Sequence, residues 1–464
     1  MPKHLVEPDT NAIPVQAVLP DGFADWLAVQ DARTQAWVKS SGFTGEANQT
    51  LLLPGPKGDL DGVIYIRGDE PGPWAWVALF EGLPKTGVFN IISALDGVAA
   101  NDAALGFVLA SYRFDRYRSG GEDNQTGPLL VWPEGTNQAI VREAYGATKL
   151  VRDLVNTPAS DLGPAQLAKA AQDLAEASGA TYSAIVGVDL IREGFPAIYA
   201  VGRGAEDSRA PRLVDFSWGR SDAPKVTLVG KGVCFDTGGL DIKSTAGMKL
   251  MKKDMGGAAH VLALASMIMA HKLDVRLRVL IPAVENSVSN GAMRPLDVVA
   301  TRQGLTVEIG NTDAEGRVIL ADALSLASEE KPDLILDFAT LTGAARVALG
   351  TDLPALFCND EDLAALILAA GLKTADPLWR LPLHKPYKNQ TKGKVADLRN
   401  DSDSPFAGAI MAGLFLEAFV ASGISWAHVD LMAWNTQTKP GRPEGGEALA
   451  IRALFEVLQN RYAH

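Results

Sequence analysis

Beyond Asp161, short apolar runs alternate with longer segments of helical period, and this alternation restricts the fold more than any other feature of the chain. Residues 226–230, 275–283 and 333–340 are short runs dense in Val, Leu and Ile, the pattern of strands covered on both faces. Residues 255–270, 318–328, 363–372, 409–421 and 448–459 read as helices. Strands separated by helices return in the same direction. The expected fold is therefore α/β, a mostly parallel sheet with helices on both faces. Ligands of such sheets sit at the carboxyl ends of the strands.

Up to about residue 150 the pattern is looser. Apolar runs at 62–66 and 74–79 predict strands, and 103–117 predicts a helix. We expect a smaller α/β domain over 1–137. A long helix follows and stops at Asn156-Thr157-Pro158, since proline biases its predecessor out of the helix. Residues 138–157 are then a linking helix and 158–464 the larger domain.

Composition removes several function classes. A chain of 464 residues buries a core without staples, and two cysteines, Cys234 and Cys358, make neither a disulfide scaffold nor a Cys-rich zinc fold. Six histidines disfavour a His-dominated metal site. The net charge is −12, and the first 150 residues hold 18 acids against 11 bases, so bulk attraction to nucleic acid is not expected. The longest apolar run, 261–270, falls short of the ~20 residues of a membrane span. Met1-Pro2-Lys3-His4 leads into no signal-peptide core, so the expectation is a cytoplasmic protein with no membrane partner.

Three clusters carry candidate chemistry. Gly230-Lys231-Gly232-Val233-Cys234-Phe235-Asp236-Thr237-Gly238-Gly239 follows a strand directly, with Lys243 seven residues after Asp236. Alone it reads as a glycine-rich turn with solvated charges, and it lacks phosphate-loop spacing. In Lys252-Lys253-Asp254-Met255-Gly256-Gly257, Asp254 stands where a helix N-cap belongs, and capping alone accounts for it. Asn311-Thr312-Asp313-Ala314-Glu315-Gly316-Arg317 lies between a short strand at 307–309 and a helix. Two carboxylates two residues apart in extended backbone share one side, although an ion pair with Arg317 is the plainer account. Taken together, Asp236, Asp254, Asp313 and Glu315, with two lysines and an arginine, suit divalent ions, two of which a shared carboxylate can bridge.

These residues resemble the leucyl aminopeptidase (cytosol aminopeptidase) family of two-metal metallopeptidases. The 311–317 heptapeptide matches its signature, and so do the spacings of Lys231, Asp236, Lys243 and Asp254. Asp153-Leu154-Val155-Asn156-Thr157-Pro158 and Ala339-Thr340-Leu341-Thr342-Gly343-Ala344 add to the likeness, and 112–117 adds weakly. The resemblance implies that Lys231, Asp236, Asp254 and Glu315 hold one divalent ion, zinc or manganese. Asp236, Asp313 and Glu315 would hold a second. Lys243 and Arg317 would be the catalytic side chains, Arg317 with a bicarbonate as proton shuttle. Thr340, Leu341 and Gly343 would line the substrate cleft, and Met251 the pocket for the first side chain. The activity implied is release of the N-terminal residue of peptides, with Leu-like first residues preferred, through a hydroxide activated by two metals. A homohexamer is implied as well. On this reading Lys231 must be neutral to serve as a ligand, and Lys243 stabilises the oxyanion, an effect of about 3–4 kcal/mol for such donors.

Two departures stand out. Ser244 occupies a position where many members have proline, and the acidic segment 401–408 replaces a glycine-rich loop, which would matter for specificity if it borders the cleft. His260, His428 and Cys234 read as packing residues. Within enzymes the rival is a dipeptidase of the Cys-Gly type. From another class it is a DNA-binding regulator on the same fold, which the acidic balance disfavours.

Overall fold

Two units emerge from the computed structural model, which describes residues 2–119 and 126–463. One comprises Met1–Lys149 with Gln437–Glu444, and the other Leu150–Thr436 with Gly445–His464. The division falls within the helix Gln138–Asn156.

The first unit is built on β1 (Leu5–Val6), β2 (Ile13–Val18), β3 (Thr50–Pro54), β4 (Leu60–Ile66), β5 (Val88–Ile91) and β6 (Leu129–Val131). Their order is β1-β6-β5-β2-β4-β3, and only the β3–β4 pair is antiparallel. The helix Gly97–Ala110 starts at Asp96, whose carboxylate accepts the Ala99 N–H at 2.7 Å, and buries Ala100, Ala103, Ala104 and Phe107. It stops at Ala110 instead of continuing to 117, because the Ser111 hydroxyl takes the Val108 carbonyl and closes the last turn. The strand expected at 74–79 is instead a 3-10 turn, Gly72–Trp76, running into the helix Val77–Gly82. Trp74 to Val77 are buried on all sides, so the run has no period to read, and Pro73 supplies a helical φ.

The second unit has β7 (Thr181–Val186), β8 (Arg212–Trp218), β9 (Lys225–Gly230), β10 (Gly232–Asp236), β11 (Arg276–Asn286), β14 (Leu334–Ala339), β15 (Ala355–Cys358), β16 (Trp379–Arg380) and β18 (Ser425–Asp430) in one sheet. A separate small sheet holds β12 (Val298–Ala300), β13 (Thr306–Glu308) and β17 (Leu398–Arg399). The large sheet runs β16-β15-β18-β14-β9-β11-β8-β7, with β10 paired to β11. Its centre, β18-β14-β9-β11, is parallel throughout, and the antiparallel pairs lie toward the edges. Successive residues of β9 face opposite sides. Gly230 meets Val261 and Ala258 of the helix Gly256–Ala270, whereas Val229 packs with Val318 and Ile319 of the helix Glu315–Glu329. The sheet is thus covered on both faces, as the alternation of the sequence requires.

The glycine-rich end expected as a surface loop over 440–446 is partly interior. Gly445–Gly446 is a buried strand paired with Trp434–Asn435, and the Gly446 N–H donates to the Asn156 side chain at 2.8 Å. Beside it, Arg152 and Glu447 form a buried pair. The Arg152 Nη2 lies 3.1 Å from both carboxylate oxygens, and the Asn435 amide donates to Glu447 Oε2 at 2.6 Å. Removing one partner of such a pair strands the other charge in the core. Glu447→Ala is expected to cost about 3–5 kcal/mol in urea unfolding, and the double variant Arg152→Met with Glu447→Leu to regain most of that loss.

Candidate metal and catalytic site

The carboxyl ends of β9, β10, β14 and β18 converge, and register brings their end residues side by side. Phe338 of β14 pairs with Gly230 of β9, and Ala339 pairs with Asp430 of β18. The Lys231 N–H donates to the Phe338 carbonyl at 3.0 Å, and the Lys231 carbonyl accepts the Ala258 N–H at 2.8 Å. The backbone of Lys231 is thereby locked between strand and helix. Gly257 allows that approach, since a Cβ there would stand 2.1 Å from the Phe338 oxygen.

The Lys231 ammonium lies 2.8 Å from Asp254 Oδ2 and 2.9 Å from Glu315 Oε1, and donates to the Thr340 carbonyl at 3.1 Å. Lys243 lies 2.9 Å from Asp236 Oδ2 and also contacts Asp313 Oδ1. Asp236 Oδ1 is held by the Asn286 amide at 2.9 Å and the Gly238 N–H at 2.8 Å. The five residues expected as ligands and the lysine expected to be catalytic are therefore gathered in one place. Asp236, Asp313 and Glu315 each present an oxygen within 4.8 Å of the others.

Two local expectations are overturned. Asp254 caps nothing. It sits in the 3-10 turn Met251–Met255, and its Oδ1 accepts the Thr340 hydroxyl at 2.7 Å, while the helix Gly256–Ala270 has no side-chain cap. Asp313 and Glu315 do not share extended backbone. Asp313 is in a turn, and Glu315 is the first residue of the helix Glu315–Glu329. That turn is tied by side chains: the Asn400 amide donates to the Asn311 carbonyl at 2.7 Å, and the Thr312 hydroxyl to the Gly238 carbonyl at 2.6 Å.

Burial and charge set the electrostatics. Burial, then the neighbouring Asp254, raises Asp236 to about 6. Burial, then Asp236, raises Glu315 to about 8. Burial pushes Asp254 upward too, but Lys231 and Lys253 outweigh it and hold that carboxyl below its usual value. For Lys231, burial favours the neutral amine, yet Asp254, Glu315 and Asp236 outweigh it and raise the pKa. The expected neutral lysine is thus not a product of the protein's own charges. Burial likewise opposes the charged form of Lys243, but Asp236 and Asp313 raise it overall.

Several acceptors remain unsatisfied. Glu315 Oε2 is buried with no hydrogen bond, and Glu315 Oε1, Asp254 Oδ2 and Asp313 Oδ1 meet ammonium groups without hydrogen-bond geometry. Buried carboxylate oxygens left open toward one another fit divalent cations, which take hard oxygen donors. The donor set present therefore suits the metal ions that the sequence implies.

Beside these groups lies a cavity of about 380 Å³, whose wall includes Met251, Thr340, Leu341 and Gly343 as expected. Glu315 and Arg317 do not line it. Arg317 is half-buried, and its Nη1 donates to the Asn400 carbonyl at 2.7 Å. Segment 401–408 lines no part of the cavity, and Arg399 holds two of its acids, Asp401 at 2.9 Å and Asp403 at 2.8 Å. His260 and His428 are buried, bonded to the Gly256 carbonyl and to Asp337, and Cys234 is buried as well.

Sequence reasoning missed Asp430, Asn286, Lys253 and Arg346. Asp430 accepts the Leu341 N–H at 3.0 Å, the Thr342 N–H at 3.1 Å and the Thr342 hydroxyl at 2.6 Å, so it shapes the cleft loop. Its place at the end of a buried strand was the available signal.

Residues 149–455 match the cytosol aminopeptidase family, catalytic domain, and 13–127 match the M17 aminopeptidase, N-terminal domain. A probable cytosol aminopeptidase of Caulobacter vibrioides is 36% identical over 445 residues, 90% of this chain and 89% of that protein. A cytosol aminopeptidase structure from Coxiella burnetii is 51% identical with a TM-score of 0.94 and covers 99% of both chains. The bottromycin maturation enzyme BotP in complex with Mn is 34% identical with a TM-score of 0.85, covering 97% of this chain and 100% of that one.

A Cβ at Gly316 would fall 2.6 Å from Lys231 Cε and 2.7 Å from its Nζ. Gly316→Ala is therefore expected to lose about 1–3 kcal/mol by overpacking, with a smaller loss in a Lys231→Ala background. A double-mutant cycle from chemical unfolding measures the difference.

Proposed function

The chain belongs to the cytosol aminopeptidase family and is a metal-dependent aminopeptidase, a hydrolase acting on peptides, and we propose that Lys231, Asp236, Asp254, Asp313 and Glu315 hold two divalent cations at its active centre. Zinc or manganese would suit these donors, Lys231, Asp236, Asp254 and Glu315 for one ion and Asp236, Asp313 and Glu315 for the other. The observation that carries this reading is the set of buried carboxylate oxygens without hydrogen-bond partners. When bound, such cations supply Lewis acidity and bring the pKa of a water toward neutrality.

The protein's own groups do the rest. Lys243, on the cavity wall, offers a positive charge to the carbonyl oxygen of the scissile bond as negative charge develops there. Asp430 takes up the Leu341 and Thr342 amides and so fixes the loop along which the substrate backbone lies. Arg317 is the anchor for a bicarbonate. Its Nε is buried with no hydrogen-bond partner, which supports an anion there. Met251, with Leu250 and Met432 on the same wall, favours a neutral or hydrophobic first residue such as Leu. The chemistry is assigned to 158–464, with 1–137 as an accessory domain. Cytoplasmic residence and a homohexamer rest on the likeness to the family. No helix among the described residues is long and apolar enough to cross a membrane.

Dialysis against a chelator should abolish hydrolysis of leucyl-anilide, and manganese or zinc should restore it. Full activity in a metal-free sample would overturn the two-ion reading. Lys243→Ala should keep both ions by elemental analysis and lower kcat by roughly 10²–10³-fold, as for loss of an oxyanion donor. A normal kcat in that variant would remove Lys243 from the chemistry.

A further inference from the structure

On the cavity wall stand two cations to which the aminopeptidase chemistry gives no task. Lys253 follows Met251 by two residues in the turn Met251–Met255, and its side chain is only 6% exposed. Its ammonium makes no hydrogen bond among the described residues. Asp254 Oδ1 lies 4.0 Å away, and that oxygen already accepts the Thr340 hydroxyl. Arg346, exposed on the helix Gly343–Leu349, donates its Nη1 only to the Met432 sulfur at 3.3 Å, a weak acceptor. The other cations on this wall are differently placed, since Lys231 and Lys243 each meet two carboxylates. Asp430, the remaining nearby acid, is spent on the cleft loop.

Lys253 and Arg346 stand on the wall of the same cavity. The buried Lys253 ammonium is paired only loosely, with Asp254 at 4.0 Å, and a buried charge without a hydrogen bond costs stability. That long pair, to an oxygen already taken by Thr340, repays little of the cost, and the exposed Arg346 has no acceptor but the Met432 sulfur among the described residues. What the two do offer is a point charge and a planar fork on one cavity wall, a combination complementary to a carboxylate.

We propose that Lys253 and Arg346 form a subsite for a carboxylate of the substrate. The inference rests on the aminopeptidase reading and deepens it. Such a carboxylate has two sources, an acidic side chain on the first residue or the free C-terminus of a dipeptide. Met251 and Met432 share the same wall, so a leucyl first residue is still accommodated.

The test uses the metal-loaded enzyme and two isosteric substrate pairs, glutamyl- against glutaminyl-anilide and Leu-Gly against Leu-Gly amide. One pair should show kcat/KM about tenfold higher for the carboxylate member, as expected of a charge-assisted contact. Lys253→Met and Arg346→Met should each bring that ratio to within about twofold of one, and the pair affected identifies the source. Arg346 is exposed, so Arg346→Met keeps the test open if Lys253→Met does not fold. Ratios near one in the unaltered enzyme, or a preference surviving both substitutions, would overturn the subsite. Hydrolysis of all four substrates without preference removes the subsite alone, whereas hydrolysis of none removes the aminopeptidase reading as well.

Discussion

The candidate site depends on a lysine whose backbone is clamped and whose ammonium is surrounded by acids. Lys231 bonds to β14 through its N–H and to the helix Gly256–Ala270 through its carbonyl, so its position follows from the sheet register. Without that ammonium and Lys243, four carboxylates would crowd a dry region. Like charges about 4 Å apart repel by roughly 4 kcal/mol at an effective dielectric constant near 20. The two lysines make the cluster compatible with folding, and Gly257 and Gly316 leave the room that the Lys231 chain occupies.

Behind the cluster, polar residues on the strands hold the cleft in place. Asp337 of β14 bonds His428 of β18 and accepts the Trp426 indole at 2.6 Å, which joins the two strands at full burial. Two residues further along β18, Asp430 gathers the Leu341–Thr342 loop. A buried hydrogen-bond network of this kind restrains the cleft more tightly than apolar packing alone, because a shifted strand would leave acceptors unsatisfied.

How much was legible in the sequence depended on how local the cause was. The helix Glu315–Glu329 and the strands β9, β11 and β14 follow from periodicity that any window of the chain displays. The gathering of Lys231, Asp236, Lys243, Asp254, Asp313 and Glu315 was legible through family resemblance and the strand-end rule. The local setting of Asp254 was not, because its partners Thr340 and Lys231 lie 86 and 23 residues away and capping explained the local pattern equally well. Trp74 to Leu79 misled for another reason. Apolar residues buried all round carry no period, so strand and helix look alike. The setting of Lys253 and Arg346 was invisible because a loosely paired charge becomes notable only when its neighbours are known.

The same unit contains buried acids of two kinds, and comparing them separates structure from chemistry. Glu447 has both oxygens satisfied by Arg152, with Asn435 and the Ala448 N–H added. Asp322 likewise accepts the Ala197, Ile198 and Arg302 N–H groups. Both are complete within the chain and act as cross-links between segments distant in sequence. Glu315 is equally buried but has one oxygen with no partner and another that meets only an ammonium. A buried acceptor left open costs roughly 1–3 kcal/mol, more when charged, and folding alone gives no return for it. On the proposed reading the return comes from a divalent cation, which would satisfy the open Glu315 Oε2 together with the oxygens of Glu315, Asp254 and Asp313 that meet only ammonium groups.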